Sequence, residues 1–442
     1  MRDAGSDIEF PDATTRLLED HERPFGSVAR ALPLVVEPRR SSSASALHSL
    51  LASSSGTVEA AVYDHGAVLF RGYAVATERD FQTAIHSLRG ARPVQRYFMM
   101  EKGRSLVPGT DSVFVTNQHY KTGGGFSFNG FHSENFYNPD VPALQSFWCK
   151  TEPVLGGESG LIHMADGFAE LPASVRATLE RAPIAARAWP IAEVAAHYGL
   201  TERRVDRFFD ELGSSGVLPD GTKVVAIDKP AVFLHPHHGK RSLQVNFGSE
   251  LTRASGLLQH LLRSHYAEPR WMLHRYAWAH PFMLDAFEAI ERMPYALAHP
   301  TIVGKQQWEA VKGLAKGAGA RFGLRSPSSK AAGPRASTML GRDYHPPFGR
   351  PKLADLLTGD EHVLLAKAAR KHCSVFTWKK GDVLLFDNLQ VLHAGMPGLG
   401  PRELRVVMCN LVPMSYPFSS GLLEVHVDES YRSFDDRLRA LA

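Results

Sequence analysis

Cysteine is scarce in this chain, with only Cys149, Cys373 and Cys409 among 442 residues and no CxxC spacing. That excludes a disulfide framework and a thiolate zinc site, and it fits a reducing compartment that would also keep iron ferrous. Apolar runs of about 18 residues are absent too, so no membrane-spanning helix is expected. The opening MRDAGSDIEFPDATTRLLEDHERPF is acidic and polar, where a secretory leader begins basic and continues apolar; the expected location is cytoplasmic. Charge of one sign is nearly cancelled: 50 basic and 46 acidic residues leave +4, too little to imply nucleic-acid binding by the whole molecule. The excess is local. Residues 301–352 carry ten Lys or Arg against Glu309 and Asp343, so 10 − 2 gives +8, and the remainder is slightly acidic.

What is present is an ordinary globular composition, 44% hydrophobic and 22% charged. The expected organisation is an N-terminal arm (1–60) packed on a single catalytic domain (61–442) with a mainly helical insertion at about 165–370. Within the arm, Ala44 to Leu51 has a helical pattern. VYDHGAVLFRGY, from Val62, reads as a strand pair. Thr77 and Asp80 stand as a capping box before Phe81, Ile85 and Leu88 at helical spacing, with Gly90 as the stop. Short β-rich runs divided by Gly and Pro turns fill 111–164. Helices are expected over 201–213, with Val205, Phe208, Phe209 and Leu212 on one face, and over 256–265, 284–293 and 306–316. A strand signal lies between them in AVFLHPHHGKRSLQVNFG. The Gly/Ser/Pro-rich stretch 317–351 reads as mobile, and the chain closes on strands, FTWKKGDVLLFDN, QVLHAG and LRVVMCNLV.

The chemistry concentrates in FNGFHSENFY. In a strand, residues two apart share a side, so His132 and Glu134 would present an imidazole and a carboxylate together. GDVLLFDNLQVLHAG supplies a third ligand, His393, at the end of an apolar strand pair. Two imidazoles and one carboxylate on one face of a metal leave three positions open, as in non-haem Fe(II) oxygenases. A bare His-x-Glu is a weak signal, and most of the 21 histidines must be ordinary surface or core residues. Beyond His393 a turn leads into a strand bearing Arg402 and Arg405, whose planar forks suit the far carboxylate of an oxo-acid. Arg405, which alternates with Val407 and Cys409, is the first choice and Arg402 the reserve. A surface salt bridge is the bland alternative for both. Ser159, after Gly156-Gly157, offers a hydroxyl to the same carboxylate, or is an ordinary turn residue.

These segments resemble the taurine dioxygenase-like superfamily of Fe(II)/2-oxoglutarate-dependent oxygenases, on the branch near clavaminate synthase and the amino-acid hydroxylases of natural-product biosynthesis. The resemblance runs through GAVLFRGY, FHSENFYNPDVPALQSFWCKTEPVLGGES, FLHPHHGKRSLQVNFG, FTWKKGDVLLFDNLQVLHAG and the arginine strand. It implies an all-β core with helical decoration, a distorted double-stranded β-helix (jelly roll) whose mouth binds Fe(II), with 2-oxoglutarate as co-substrate and O2. By the same resemblance His132, Glu134 and His393 are the metal ligands, Arg405 or Arg402 holds the distal carboxylate, and Ser159 stands where relatives have Thr. Many relatives have Asp where Glu134 stands; halogenating ones lack the carboxylate, so Glu134 argues against halogenation.

The implied outcome is hydroxylation of a C–H bond in a free or carrier-bound amino acid or related small metabolite, with release of succinate and CO2. Desaturation, cyclisation and epoxidation share that chemistry. A zinc-dependent hydrolase on the same ligands, or a non-catalytic barrel docking an acidic partner, are the alternatives of another class. The +8 segment suits an acidic carrier protein or is simply a solvated loop. Asp387 and Asn388 read as supports for the distal ligand or as turn formers, Asn117 and Gln118 as residues facing substrate, and His235 and His237 as a loop near the cofactor pocket.

Overall fold

The computed structural model describes residues 8–24, 32–100, 106–116, 125–212, 214–218, 220–298, 342–343, 353–414 and 422–442. Asn117, Gln118, the expected helix at 306–316 and all of 301–352 except 342–343 lie outside the described residues. In chain order, the strands that position the site are β1 (Ala13–Arg16), β2 (Leu34–Pro38), β3 (Ala67–Phe70), β4 (Phe114–Val115), β5 (Asp140–Thr151), β6 (Ser159–His163), β7 (Cys373–Phe376), β8 (Val383–Asp387), β9 (Val391–Gly395) and β10 (Glu403–Pro413). Seven of them form one sheet in the order β1-β2-β3-β8-β5-β10-β4, and β7-β6-β9 form a second.

β5 is an interior strand, antiparallel to β8 on one side and to β10 on the other. It is buried on both faces, as its apolar composition requires. Side chains alternate across it. Phe147 and Cys149 join Leu161, Phe376, Phe386, Leu404 and Val406 in a core shared by the two sheets. Trp148 points the other way, into a second core with Leu47, Val58, Val62, Phe81, Ile85, Val407 and Cys409. Three helices cover that outer face: α1 (Ala44–Ser53), α2 (Ser55–His65) and α3 (Glu78–His86). The Thr77 and Asp80 capping box of α3 is formed in both directions and contributes about 1 kcal/mol.

The strand pair expected from Val62 is replaced by the end of α2 followed by β3. Val58, Ala61 and Val62 bury the helix against the sheet, and Gly66, at φ 81, stops it with its N–H on Val62 O. A Cβ at Gly66 would come within 2.8 Å of both His163 and Val391, so the glycine also lets the chain pass under β6 and β9.

The segment expected as an arm supplies two strands of the large sheet. β2 pairs in parallel with β3, Leu34 opposite Val68, and β1 forms the edge. It also supplies Glu22, which accepts from Arg16 (2.9 Å) and Arg71 (2.5 Å), while Arg71 reaches Asp382 at 2.5 Å. Glu22, Arg71 and Asp382 are all buried.

The region 165–370 is helical in Ala173–Arg181, Ile191–Tyr198, Glu202–Glu211, Thr252–Arg263, Met272–Ala279, Pro281–Ala298 and Gly359–Lys371 among the described residues. Beside these helices it holds a sheet of Pro183–Pro190, Ser215–Val217, Lys223–Pro230 and Arg342–Asp343. Among the described residues no helix is long and apolar enough to cross a membrane.

Candidate metal centre

β9 carries His393 opposite Leu161 of β6, and the imidazole packs on Phe147 and Phe386 of the large sheet, with ring centroids 5.4 and 5.2 Å away. His393 therefore faces the core between the sheets. His132 is not in a strand as expected. Two backbone bridges hold it: one to His393, with His132 N donating to His393 O (3.1 Å) and His393 N to His132 O (3.0 Å), and one to Asn246. The two rings lie 4.4 Å apart. His132 Nδ1 is 2.8 Å from Gly130 O. A carbonyl can only accept, so Nδ1 carries the proton and Nε2 keeps a lone pair for a metal.

Glu134 begins the turn that follows. Asn388 grips its backbone from both sides, Oδ1 accepting from Glu134 N (2.7 Å) and Nδ2 donating to Glu134 O (3.3 Å). Gln145 Nε2 donates to Glu134 Oε2 at 3.1 Å, and that oxygen is 3.7 Å from His393 Nε2. Asn135 then takes a left-handed conformation, φ 55, which a short polar side chain tolerates better than most and which turns the chain away at once.

The ligand atoms of His132, Glu134 and His393 all lie within 4.8 Å of one another, the single such group among the described residues. Two imidazoles and a carboxylate fit a ferrous ion with open positions. Gln145, a lone buried amide in an apolar strand, escaped the sequence reading. That isolation was its signal.

Asn388 supports Glu134, whereas Asp387 holds the turn and the HPHH loop. Asp387 Oδ2 lies 2.7 Å from His235 Nε2 and accepts from Gln390 Nε2 at 2.9 Å. His235 stacks on His238, and His237 on Tyr63.

The arginines part company. Arg405 pairs with Trp148 across β10 and β5 and so shares its outer face. Its Nε donates to Glu78 of α3 at 3.1 Å, and a second nitrogen lies 3.5 Å from Glu403. The sequence preference for Arg405 therefore meets a structural difficulty. The alternation with Val407 and Cys409 holds, but on the face away from His393.

Arg402 precedes the register shift between Glu403 and Leu404. It is buried, donates to Gly157 O (2.8 Å) and Glu158 O (3.2 Å), and its Nε has no partner among the described residues. Its NH2 would lie 3.0 Å from a Cβ on Gly395, two residues beyond His393. Burial pulls the guanidinium down to about 10, which leaves it charged at neutral pH. Burial also pushes the neighbouring Glu158 carboxyl up to about 7, so this acid is a poor counter-ion. A buried cation held only by carbonyls invites an anion.

Ser159 pairs with Gly395, and its Oγ accepts from Trp378 Nε1 at 3.0 Å. The hydroxyl proton remains available to donate. The structure thus brings His132, Glu134, His393, Arg402 and Ser159 to one side of β9 and leaves Arg405 outside.

A sequence model of the family described as "Taurine catabolism dioxygenase TauD, TfdA family" matches residues 30–280, more than half of the chain. No curated protein matches the sequence significantly. Among solved structures, a taurine dioxygenase from Burkholderia xenovorans is 14% identical with TM-score 0.46, over 98% of this chain and 100% of the other. PvcB, an Fe, alpha-ketoglutarate dependent oxygenase from an isonitrile synthetic pathway, is 14% identical with TM-score 0.44, over 93% and 94%. AAD-2 in complex with Mn(II) and N-oxalylglycine is 13% identical with TM-score 0.40, over 90% and 98%.

Proposed function

The chain belongs to the TauD, TfdA family and is an Fe(II)/2-oxoglutarate-dependent dioxygenase, and from that premise we propose that it hydroxylates an unactivated C–H bond of a free or carrier-bound amino acid or related small metabolite. Membership of a dioxygenase family sets aside the zinc hydrolase and the non-catalytic barrel. The observation that carries the reading is the convergence of His132, Glu134 and His393. The two facing sheets are read as a distorted jelly roll with the metal at its mouth.

When bound, Fe(II) with 2-oxoglutarate and O2 supplies the oxidation: substrate C–H, 2-oxoglutarate and O2 give alcohol, succinate and CO2, with one oxygen atom entering the alcohol and one the succinate. The chain's own part is to hold and to exclude. The Gly130 carbonyl fixes the His132 tautomer, while Gln145 and Asn388 fix Glu134. Arg402 receives the distal carboxylate of 2-oxoglutarate, and the Ser159 hydroxyl donates to it. Phe147, Phe386 and Leu161 wall the centre with apolar surface, which keeps water out and strengthens each of these polar contacts.

The test supplies Fe(II), ascorbate and 2-oxoglutarate under O2 with a panel of amino acids, and follows succinate and product mass. Substrate-dependent succinate and a product heavier by one oxygen atom are expected. A product lighter by two hydrogens would give desaturation or cyclisation instead. Absence of any substrate-dependent succinate would count against the reading. If the substrate comes on a carrier, the +8 segment at 301–352 suits docking of an acidic carrier protein, and otherwise it is a solvated loop; unchanged turnover of carrier-bound and free substrates after deletion of 317–351 would end the carrier reading.

A further inference from the structure

Buried polar atoms in folded proteins are nearly always hydrogen-bonded, because an orphan costs stability. In the segments that run next to Glu134 several side chains break this rule. Lys229, Asn138 and Gln244 are all fully buried. Lys229 Nζ and both amide atoms of Asn138 and of Gln244 have no partner among the described residues, and Asn135 Oδ1 and Gln145 Oε1 are orphaned as well.

Backbone contacts tie these residues to Glu134. Ser133 N donates to Val245 O at 3.2 Å and His132 bridges Asn246. Continuing that antiparallel register sets Gln244 opposite Glu134. Leu243 and Val245 pack with Phe131 in the apolar cluster, so Gln244 takes the face of His132 and Glu134. Gln244 N in turn donates to Ala231 O (3.0 Å), two residues from Lys229. Asn138 closes the turn opened by Glu134, its N–H on Asn135 O at 2.8 Å.

Asp140 is the acid that acts electrostatically on Lys229, but Lys229 Nζ makes no hydrogen bond to it among the described residues, and both Asp140 oxygens have other donors. One accepts from the Tyr431 hydroxyl and the other from Phe434 N at 2.8 Å. Lys229 is therefore a buried amine without an ion-pair partner among the described residues, two residues from the backbone bond to Gln244 and within electrostatic reach of Asp140, which follows Asn138 by two; the two amides each offer a donor and an acceptor.

We propose that Lys229 receives a free carboxylate of the substrate while Asn138 and Gln244 bond its remaining polar groups, so that this dioxygenase acts on an unesterified amino acid rather than on one held by its carboxyl on a carrier. The inference rests on the oxygenase reading above and narrows its substrate class. Burial lowers the Lys229 ammonium well below its ordinary range, and an arriving carboxylate supplies the compensating charge.

The test uses the whole protein with Fe(II) under anaerobic conditions. 2-Oxoglutarate is added first and its visible charge-transfer band recorded; free L-amino acids and their carboxamides are then titrated. At least one free acid is expected to perturb the band, with its carboxamide weaker by roughly 10- to 100-fold. In Lys229→Met the band itself should form as in the parent, which also reports folding, while acid and amide bind alike. That variant should melt no lower than the parent, because it removes a buried amine that has no hydrogen bond among the described residues; a structural lysine would make it less stable. If no acid perturbs the band, if acids and amides do so equally in the parent, or if Lys229→Met loses 2-oxoglutarate, the inference falls alone. Failure of 2-oxoglutarate to raise the band in the parent would bring down the oxygenase reading and this inference with it.

Discussion

Replacing Arg402 and Arg405 by methionine, one at a time, separates the two candidates for the distal carboxylate of 2-oxoglutarate. Methionine keeps most of the length and apolar packing and removes only the charge and the donors. Arg402 is 4% exposed, and among the described residues its hydrogen bonds go to the Gly157 and Glu158 carbonyls, so a bound carboxylate would be its counter-ion in a site closed to water. Removing one member of such a buried pair costs about 3–5 kcal/mol, which corresponds to about a 150- to 5,000-fold rise in the 2-oxoglutarate Kd. Arg405 is bonded to Glu78 on the helix-covered face. Arg405→Met should leave that Kd within about twofold, while the loss of a partly exposed ion pair lowers stability by about 1 kcal/mol or less. An anaerobic titration of the Fe(II) protein with 2-oxoglutarate, followed in the visible, reads both constants. Wild-type affinity in Arg402→Met with loss in Arg405→Met would refute the argument from strand faces.

Gln145→Leu removes the donor to Glu134 Oε2 and should weaken Fe(II) about 10- to 100-fold, measured by competition with a chelator; unaltered affinity would deny Gln145 its positioning role. Gly395→Ala sets a methyl 3.0 Å from Arg402 NH2 and 2.9 Å from Asn129 Nδ2, so the Kd for 2-oxoglutarate should rise at least about threefold as the guanidinium shifts, with folding retained by circular dichroism. Arg71→Met leaves Glu22 and Asp382 buried without their shared guanidinium and should cost about 3–5 kcal/mol in urea unfolding; a loss below about 1 kcal/mol would contradict the network. Burial raises the Glu158 carboxyl to about 7. Its contribution is therefore intact below the ordinary carboxylate range and is lost as pH climbs from about 4.5 through 7. Glu158→Gln should gain on the parent in urea midpoint across that window, and a constant difference would be the contrary result.

Several features were readable because they are local. The Thr77 capping box, the helices over Ala44–Ser53 and Glu202–Glu211, and the apolar β8 and β9 strands all follow from neighbours a few positions apart. The helix over Ser55–His65 was misjudged because its valines suit a strand, and only burial against the sheet and the stop at Gly66 decide for the helix. The pairing of β2 with β3 has no local signature either. Parallel neighbours are brought together by the intervening helices rather than by a turn.

Residue type and spacing proposed the donor set of the centre, and the resemblance of the surrounding segments chose an Fe(II) oxygenase over a zinc hydrolase on the same ligands. Tertiary structure decided everything that depends on which way a side chain faces. A one-residue step along a strand reverses the face, so the sheet partners of β10 set Arg405 against Glu78, and the shift between Glu403 and Leu404 accompanies the turn of Arg402 toward Gly395. The orphaned Lys229, Asn138 and Gln244 could be recognised only in three dimensions, because having no partner is a property of the packed surroundings and not of the chain.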